Sequence, residues 1–181
     1  MQTYLKNVEQ IIVTIISRPQ KTILTFDLLD TEKTIKHKLL AHKERQRQMK
    51  IGLVWEKVIG TFHDFECVKN HESGLDIISH NKKIAIELKN RTNTDNSSSR
   101  KYNFYKLSKF REKNPEYTCI YGNINDNTRE KTVKGKNEMI IYNNQEIHFM
   151  VGYELLRFIF QDDTEQVISF VRETVDKHSS L

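Results

Sequence analysis

Three short β-branched segments follow one another closely, and they constrain the fold more than any other feature of the sequence. They are DFECVK (64–69), LDIIS (75–79) and KIAIELK (83–89). Runs of this length bounded by Ser, Gly, His and Asn are typical of β-strands. Because only a few residues separate the last two runs, they predict an antiparallel pair joined by a tight turn around His80 to Lys82. Together the three runs predict an antiparallel meander.

Segments with helical periodicity and further strands surround this meander. Apolar residues spaced three and four apart, with Pro at two ends, predict helices at Thr3–Ser17, from near Thr31, from near Ser98 to Pro115, at 151–160 and at 164–177. Further strands are predicted at 117–124 and 138–142, with EIHFM as another short one. We therefore expect a single catalytic domain over residues 1–181, of the α/β (α+β) class, with a central mixed β-sheet flanked by helices.

The composition narrows the class of protein without naming a ligand. The chain has 181 residues, of which 37% are hydrophobic and 29% charged, and a formal net charge of +5. That excess suits a polyanionic partner but is too small to identify one. The two cysteines form no CxxC pair, which argues against a structural zinc site. No apolar run is long enough to cross a bilayer and the first residues do not form a secretory leader, so we expect a cytoplasmic protein.

Asp76, Glu87 and Lys89 form the pattern that carries chemistry. Side chains alternate along a strand, so Glu87 and Lys89 point the same way while Leu88 points into the core. If the preceding strand pairs antiparallel through a tight turn, Asp76 lies close to Glu87. The alternative is a surface Glu/Lys pair with an unrelated Asp at a strand start. The apolar context of LDII and IAIELK favours a site over that alternative.

Two carboxylates and an ammonium group at one end of a sheet suit metal-assisted phosphate chemistry. Carboxylate oxygens are preferred ligands of Mg²⁺, which keeps several waters and takes its other ligands from phosphate. The expected metal ligands are Asp76, Glu87 and the backbone carbonyl of Leu88. A metal held there can lower the pKa of an attacking water, and Lys89 can orient that water or stabilise charge on the phosphate.

The block GLDIISHNKKIAIELKNRTNTDNSSSRKYNFYKL resembles the active-site region of type II restriction endonucleases of the PD-(D/E)XK class. The run ELKNRTNTDNSSSR is similar to that of a subgroup typified by enzymes that cut GGNCC. The resemblance implies that Asp76, Glu87 and Lys89 are catalytic, although Gly74 and Leu75 stand where the name-giving Pro-Asp pair is expected. It also implies an acid on the helix before the meander, for which Glu56 is the candidate. The alternative for Glu56 is a salt bridge on an amphipathic helix.

The polar stretch after the catalytic strand is the best candidate for contact with DNA. Base edges and phosphates are usually read by Arg, Lys, Asn and Gln side chains. The expected DNA-binding residues are Arg91, Asn93, Asp95, Asn96, Arg100 and Lys101. Secondary candidates for phosphate are the basic stretch 45–50, Lys106 and Lys109. The alternative is a solvated loop whose Asn and Ser side chains cap the next helix.

The expected function is Mg²⁺-dependent hydrolysis of double-stranded DNA at a short, palindromic site, leaving 5′-phosphate ends, with Mn²⁺ as a substitute metal. A palindrome cut on both strands implies a homodimer, because the symmetries of site and protein match. No membrane partner and no small-molecule cofactor besides the metal are expected, and the location is the cytoplasm of a prokaryotic cell. Two other functions are consistent with the sequence: a structure-specific repair or junction nuclease of the same fold, and a non-catalytic nucleic-acid-binding protein.

Overall fold

The order of helices and strands along the chain matches the order predicted from the sequence. A computed structural model describes residues 1–19, 25, 27–68, 74–91, 97–125 and 137–179. Its elements are α1 (Gln2–Ile16), α2 (Glu32–Ile59), β1 (Glu66–Cys67), β2 (Ile77–Ser79), β3 (Ile84–Arg91), α3 (Ser97–Lys113), β4 (Thr118–Asn125), β5 (Glu138–Tyr142), β6 (Gln145–Val151), α4 (Gly152–Phe160), a short 3₁₀ turn (Gln161–Asp163) and α5 (Thr164–His178). Each predicted helix and strand is present, with β1 shorter than expected.

The strands form a mixed six-stranded sheet in the order β1-β2-β3-β4-β6-β5. The first three strands pair antiparallel, which confirms the predicted meander. Strands β3, β4 and β6 run parallel, and β5 pairs antiparallel with β6. A parallel pair needs a long crossover, and α3 supplies it between β3 and β4. The expected α/β class with a central mixed sheet is confirmed.

Each face of the sheet has its own apolar core. Helices α1, α2, α4 and α5 pack on one face, where Ile84 and Ile86 of β3 point toward them. Helix α3 packs on the other face through Phe104 and Leu107, against Ala85 and its neighbours. Because side chains alternate along β3, the residue that follows Ile86 turns toward α3. Glu87 therefore emerges between the sheet and α3.

Helix α2 has 28 residues and buries only its C-terminal part. It begins with a capping box at Thr31 and Thr34, and its buried residues are Val54, Trp55, Glu56, Val58 and Ile59. Trp55 is 9% exposed and belongs to the core. In the preceding turn, Lys50 donates to the carbonyls of Ile16 and Arg18, at 2.6 and 2.7 Å. Lys50, one of the residues considered for phosphate binding, thus caps the C-terminal end of α1. Of the helices described, none combines the length and apolar character needed to cross a bilayer.

Gly122 allows β4 to approach α4, and a larger residue there should destabilise the fold. A Cβ atom at this position would lie 2.8 Å from Cδ2 of Leu155. Leu155 is fully buried, so it cannot swing away without disturbing its neighbours. We expect Gly122→Ala to lower the free energy of unfolding by about 1–3 kcal/mol. Urea denaturation measures the change. The double variant Gly122→Ala/Leu155→Ala should lose less stability than the sum of the losses in the two single variants. Strict additivity of the two changes would contradict the proposed steric contact.

Candidate active site

Asp76 lies at the start of β2 and is tied to both neighbouring strands. Its amide N–H donates to the carbonyl of Ile86 at 3.2 Å, and its own carbonyl accepts from the N–H of Val68 at 2.9 Å. Its carboxylate Oδ2 accepts from the backbone N–H of Leu88 at 2.7 Å. In the register of this pair Ile77 lies opposite Ile86. Because Asp76 bonds to Ile86 through its amide and to Leu88 through its carboxylate, it lies beside Glu87, as the sequence predicts.

Glu87 is buried between two lysines. Its side chain is 2% exposed, and Oε1 accepts from Nζ of Lys89 at 2.7 Å while Oε2 accepts from Nζ of Lys106 at 2.6 Å. Lys89 shares the face of β3 that carries Glu87, and Leu88 packs against the core on the opposite face. The alternation expected for Glu87, Leu88 and Lys89 is therefore present. A buried carboxylate requires such charged partners to offset its loss of water.

Electrostatic repulsion between acids marks this end of the sheet. The pKa of the Asp76 carboxyl is raised to about 6, chiefly by burial and next by the nearby Glu87 carboxylate. The hydrogen bond from Leu88 N–H and the charge of Lys89 act in the opposite direction. Glu56 contributes as well, since its carboxylate adds to the increase in the pKa of Asp76. Carboxylates held close together repel one another, and a cation bound between them relieves that repulsion.

Glu56 lies on α2, close enough to Asp76 for its charge to act on the Asp76 carboxyl. It is 7% exposed and lies in the last turns of the helix, among core residues. That position differs from the solvent-exposed face on which a simple helix salt bridge would lie. The structure thus brings Glu56 into electrostatic range of Asp76, as the resemblance implies.

The donor set of this site fits Mg²⁺. Asp76 and Glu87 offer hard carboxylate oxygens from opposed strands, and Mg²⁺ characteristically takes one or two carboxylates and completes its shell with water and phosphate. Within the described ranges, no three His, Cys, Asp or Glu side chains form a ready-made metal cluster. An all-protein cage of the kind that holds Ca²⁺ or structural Zn²⁺ is thus absent from the part of the chain that the structure describes.

The residues expected to contact DNA are placed only in part. The backbone of Arg91 pairs with Asn125 at the end of β3, and its side chain lies outside the described residues, as do Asn93, Asp95 and Asn96. Lys101 is exposed on the first turns of α3. The guanidinium of Arg100 lies over the rings of Phe149 and Phe104, at 5.1 and 5.7 Å. Arg100 therefore has an intramolecular stacking role that the sequence did not indicate.

Lys106 is the site residue whose position the sequence did not predict. It was grouped with Lys109 as a secondary phosphate candidate, yet its ammonium group lies against Glu87. One signal was present in the pattern: Phe104 and Leu107 define the buried face of α3, and Lys106 sits between them in the sequence. A crossover helix covers the strands that it connects, so its inner edge lies close to Glu87 of β3.

A mixed sheet whose central strands carry two opposed acids and a lysine defines a class of phosphodiester-cleaving enzymes that includes the restriction endonucleases. The sequence model of the Eco47II restriction endonuclease family matches residues 5–172. The chain therefore belongs to the Eco47II restriction endonuclease family, and it is an endonuclease of the type II restriction class that acts on DNA. No curated protein matches the sequence.

Proposed function

We propose that this chain is a Mg²⁺-dependent enzyme that cuts double-stranded DNA at a short, palindromic site and leaves 5′-phosphate ends. Asp76, Glu87 and Lys89 are the catalytic residues, and Glu56 assists them. Residues 1–181 act as a single catalytic domain in the cytoplasm of a prokaryotic cell. The observation that carries the proposal is the position of Asp76 beside Glu87: the Asp76 carboxylate accepts from Leu88 N–H, and the Lys89 ammonium lies 2.7 Å from Glu87.

The proposed roles follow from the donors that each residue presents. Asp76, Glu87 and the Leu88 carbonyl would hold the cation, which when bound would lower the pKa of a water and neutralise charge on the scissile phosphate. Lys89 carries three N–H donors, of which one already binds Glu87. The remaining donors orient the attacking water or stabilise the oxygens of the phosphate. Glu56 would supply a further metal ligand or a water contact from α2.

The proposed DNA contacts lie where the catalytic strand ends and α3 begins. Arg91, Asn93, Asp95, Asn96, Arg100 and Lys101 read base edges or bind phosphates there. Two chains act as a homodimer on the two strands of a palindrome, each presenting one active site. Sedimentation of the purified protein, alone and with DNA, measures this assembly. A monomer that cuts both strands of its site in a single binding event would contradict it.

The activity itself is tested by digesting plasmid and phage DNA. With Mg²⁺ we expect a discrete and reproducible set of fragments, because recognition is sequence-specific. Sequencing of the fragment ends then yields the recognised bases and the position of the 5′-phosphate. A structure-specific repair or junction nuclease would leave linear duplexes intact and cut only branched substrates. Cleavage of branched substrates alone would contradict the proposed sequence specificity, and the chain would still be a nuclease.

Removal of divalent metal should abolish cleavage. We expect no detectable fragments in EDTA and full recovery with excess Mg²⁺, since the carboxylates alone cannot activate water. Mn²⁺ should also restore cleavage, because it shares the preference for oxygen ligands and octahedral geometry. Gel analysis of the same digest measures all three conditions. Cleavage that persists at full rate in EDTA would exclude a metal-dependent mechanism.

A further inference from the structure

Lys106 binds both strands that carry the candidate metal ligands. Its Nζ donates to Oε2 of Glu87 at 2.6 Å and to the carbonyl of Gly74 at 2.9 Å. Glu87 belongs to β3, and Gly74 lies two residues before Asp76 in the segment that enters β2. One ammonium group on α3 thus joins the two acid-bearing segments.

The stem of Lys106 is packed into the same contact. Gly74 adopts φ +63°, a conformation that favours glycine, and a Cβ atom placed on it would lie 3.4 Å from Cδ of Lys106. Only 15% of the Lys106 side chain is exposed, compared with 29% for Lys89. A lysine whose aliphatic stem is buried and whose ammonium group has two acceptors is held in one rotamer, whereas an exposed lysine samples several.

The two lysines occupy different oxygens of Glu87. Lys89 binds Oε1 and Lys106 binds Oε2, so each carboxylate oxygen already has a charged partner. A cation held by Asp76 and Glu87 would share Oε1 with Lys89, the more exposed of the two lysines. A second cation bridging to Oε2 would have to displace Lys106 from two acceptors.

The charges of the site also favour the binding of a single divalent cation. Asp76, Glu87 and Glu56 contribute three carboxylates, and Lys89 and Lys106 contribute two ammonium groups, which leaves one net negative charge when all are ionised. One divalent cation and one phosphodiester anion bring this group to neutrality. A second divalent cation would leave an excess of two positive charges in a partly buried site, which is unfavourable.

We propose that Lys106 is a positioning residue that fixes the orientation of Glu87 and blocks its Oε2, so that each active site binds a single divalent cation. This inference rests on the proposed role of Asp76 and Glu87 as metal ligands. It adds that the number of ions is limited to one, and that a lysine on α3 sets this limit.

Direct measurement of Mn²⁺ binding tests the proposal without relying on activity. Electron paramagnetic resonance of free Mn²⁺ in a titration of wild-type protein should give one bound ion per chain. Lys106→Met should bind Mn²⁺ more tightly, by about tenfold, because a positive charge beside the ligand is lost. The same variant should cut DNA about tenfold more slowly at saturating Mg²⁺, because Glu87 loses its fixed orientation. A merely structural role would weaken metal binding and cleavage together.

Two further variants complete the experiment. Lys106→Arg keeps the charge and should retain Mn²⁺ affinity close to that of wild type, with much of the cleavage rate. Lys36→Met removes another lysine paired with a glutamate, Glu32, at a site that is 70% exposed on α2, and it should change neither quantity. Thermal denaturation of each variant confirms that the fold is retained.

Several results would overturn the proposal. Two Mn²⁺ ions per wild-type chain would exclude the single-ion site, and unchanged or weaker Mn²⁺ binding in Lys106→Met would exclude the electrostatic role. A large loss of DNA affinity in Ca²⁺ for Lys106→Met, with normal Mn²⁺ binding, would show instead that Lys106 contacts phosphate. If wild type cuts DNA with Mg²⁺ but binds two ions, only this inference fails. If it does not cut at all, the proposed function fails first.

Discussion

Replacing Asp76 with Asn should lower the rate of DNA cleavage in Mg²⁺ about a thousandfold, which corresponds to about 4 kcal/mol of activation free energy. The amide oxygen of Asn can still accept the hydrogen bond from Leu88 N–H, so the strand pairing remains. What is lost is the negative charge that attracts the cation. The melting temperature should stay the same or rise, since burial and the neighbouring Glu87 carboxylate already disfavour the charged form of Asp76.

A gel-based rate assay at several Mg²⁺ concentrations measures this effect. The expected signature is weaker Mn²⁺ binding together with the loss of rate, while DNA affinity in Ca²⁺ stays within a few-fold of wild type. Asp64→Asn is the matched control, because Asp64 is an exposed acid hydrogen-bonded to Asn81 in the same part of the chain. Wild-type rates in Asp76→Asn would remove Asp76 from the proposed mechanism.

Replacing Lys89 with Met should lower the cleavage rate by about a hundredfold to a thousandfold, but through a different step. In the proposed mechanism Lys89 donates to the water or phosphate and does not bind the metal, so Mn²⁺ binding should be retained or slightly tighter. Glu87 keeps its second partner, Lys106, and the fold should be stable. Side by side, Asp76→Asn loses metal binding and rate, whereas Lys89→Met loses rate alone.

Single-turnover kinetics at saturating enzyme distinguishes the chemical step from DNA binding in this variant. The Lys36→Met protein again supplies the control for removal of a surface lysine. If Lys89→Met binds DNA poorly and cuts at the wild-type rate once bound, Lys89 is a phosphate anchor and the proposed catalytic role is incorrect.

The elements of this fold could be predicted because their signals are local. The repeat of Val8, Ile12 and Ile15 sets the face of α1, and branched residues separated by turn formers define β2 and β3. The proximity of Asp76 to Glu87 was also predictable, since a tight turn joins the antiparallel strands β2 and β3. Local spacing was therefore enough for the three-residue core of the site.

The remaining features depend on contacts between distant segments. The order β4-β6-β5 places the last strand in sequence inside the sheet, and nothing in the sequence near β6 indicates that choice. Arg100 of α3 stacks on Phe149 of β6, a residue far from it in the sequence. The sequence around Arg100 therefore gave no sign of this intramolecular role. In the sequence Lys106 is one of several basic residues of α3. Only the crossover of α3 over the sheet shows that it contacts Glu87. The residues 92–96, which contain three of the six expected DNA-binding residues, lie outside the described ranges.

The attachment of both β3 and α3 to one buried carboxylate has a consequence for changing what this enzyme recognises. Lys89 and Lys106 anchor the chain on either side of residues 92–96, so a library randomised over those five positions starts and ends at fixed points. We expect many members of such a library to keep their hydrolytic capacity while differing in the DNA that they accept. Selection for new target sequences can thus proceed in a short, bounded cassette, without rebuilding the scaffold that performs the reaction.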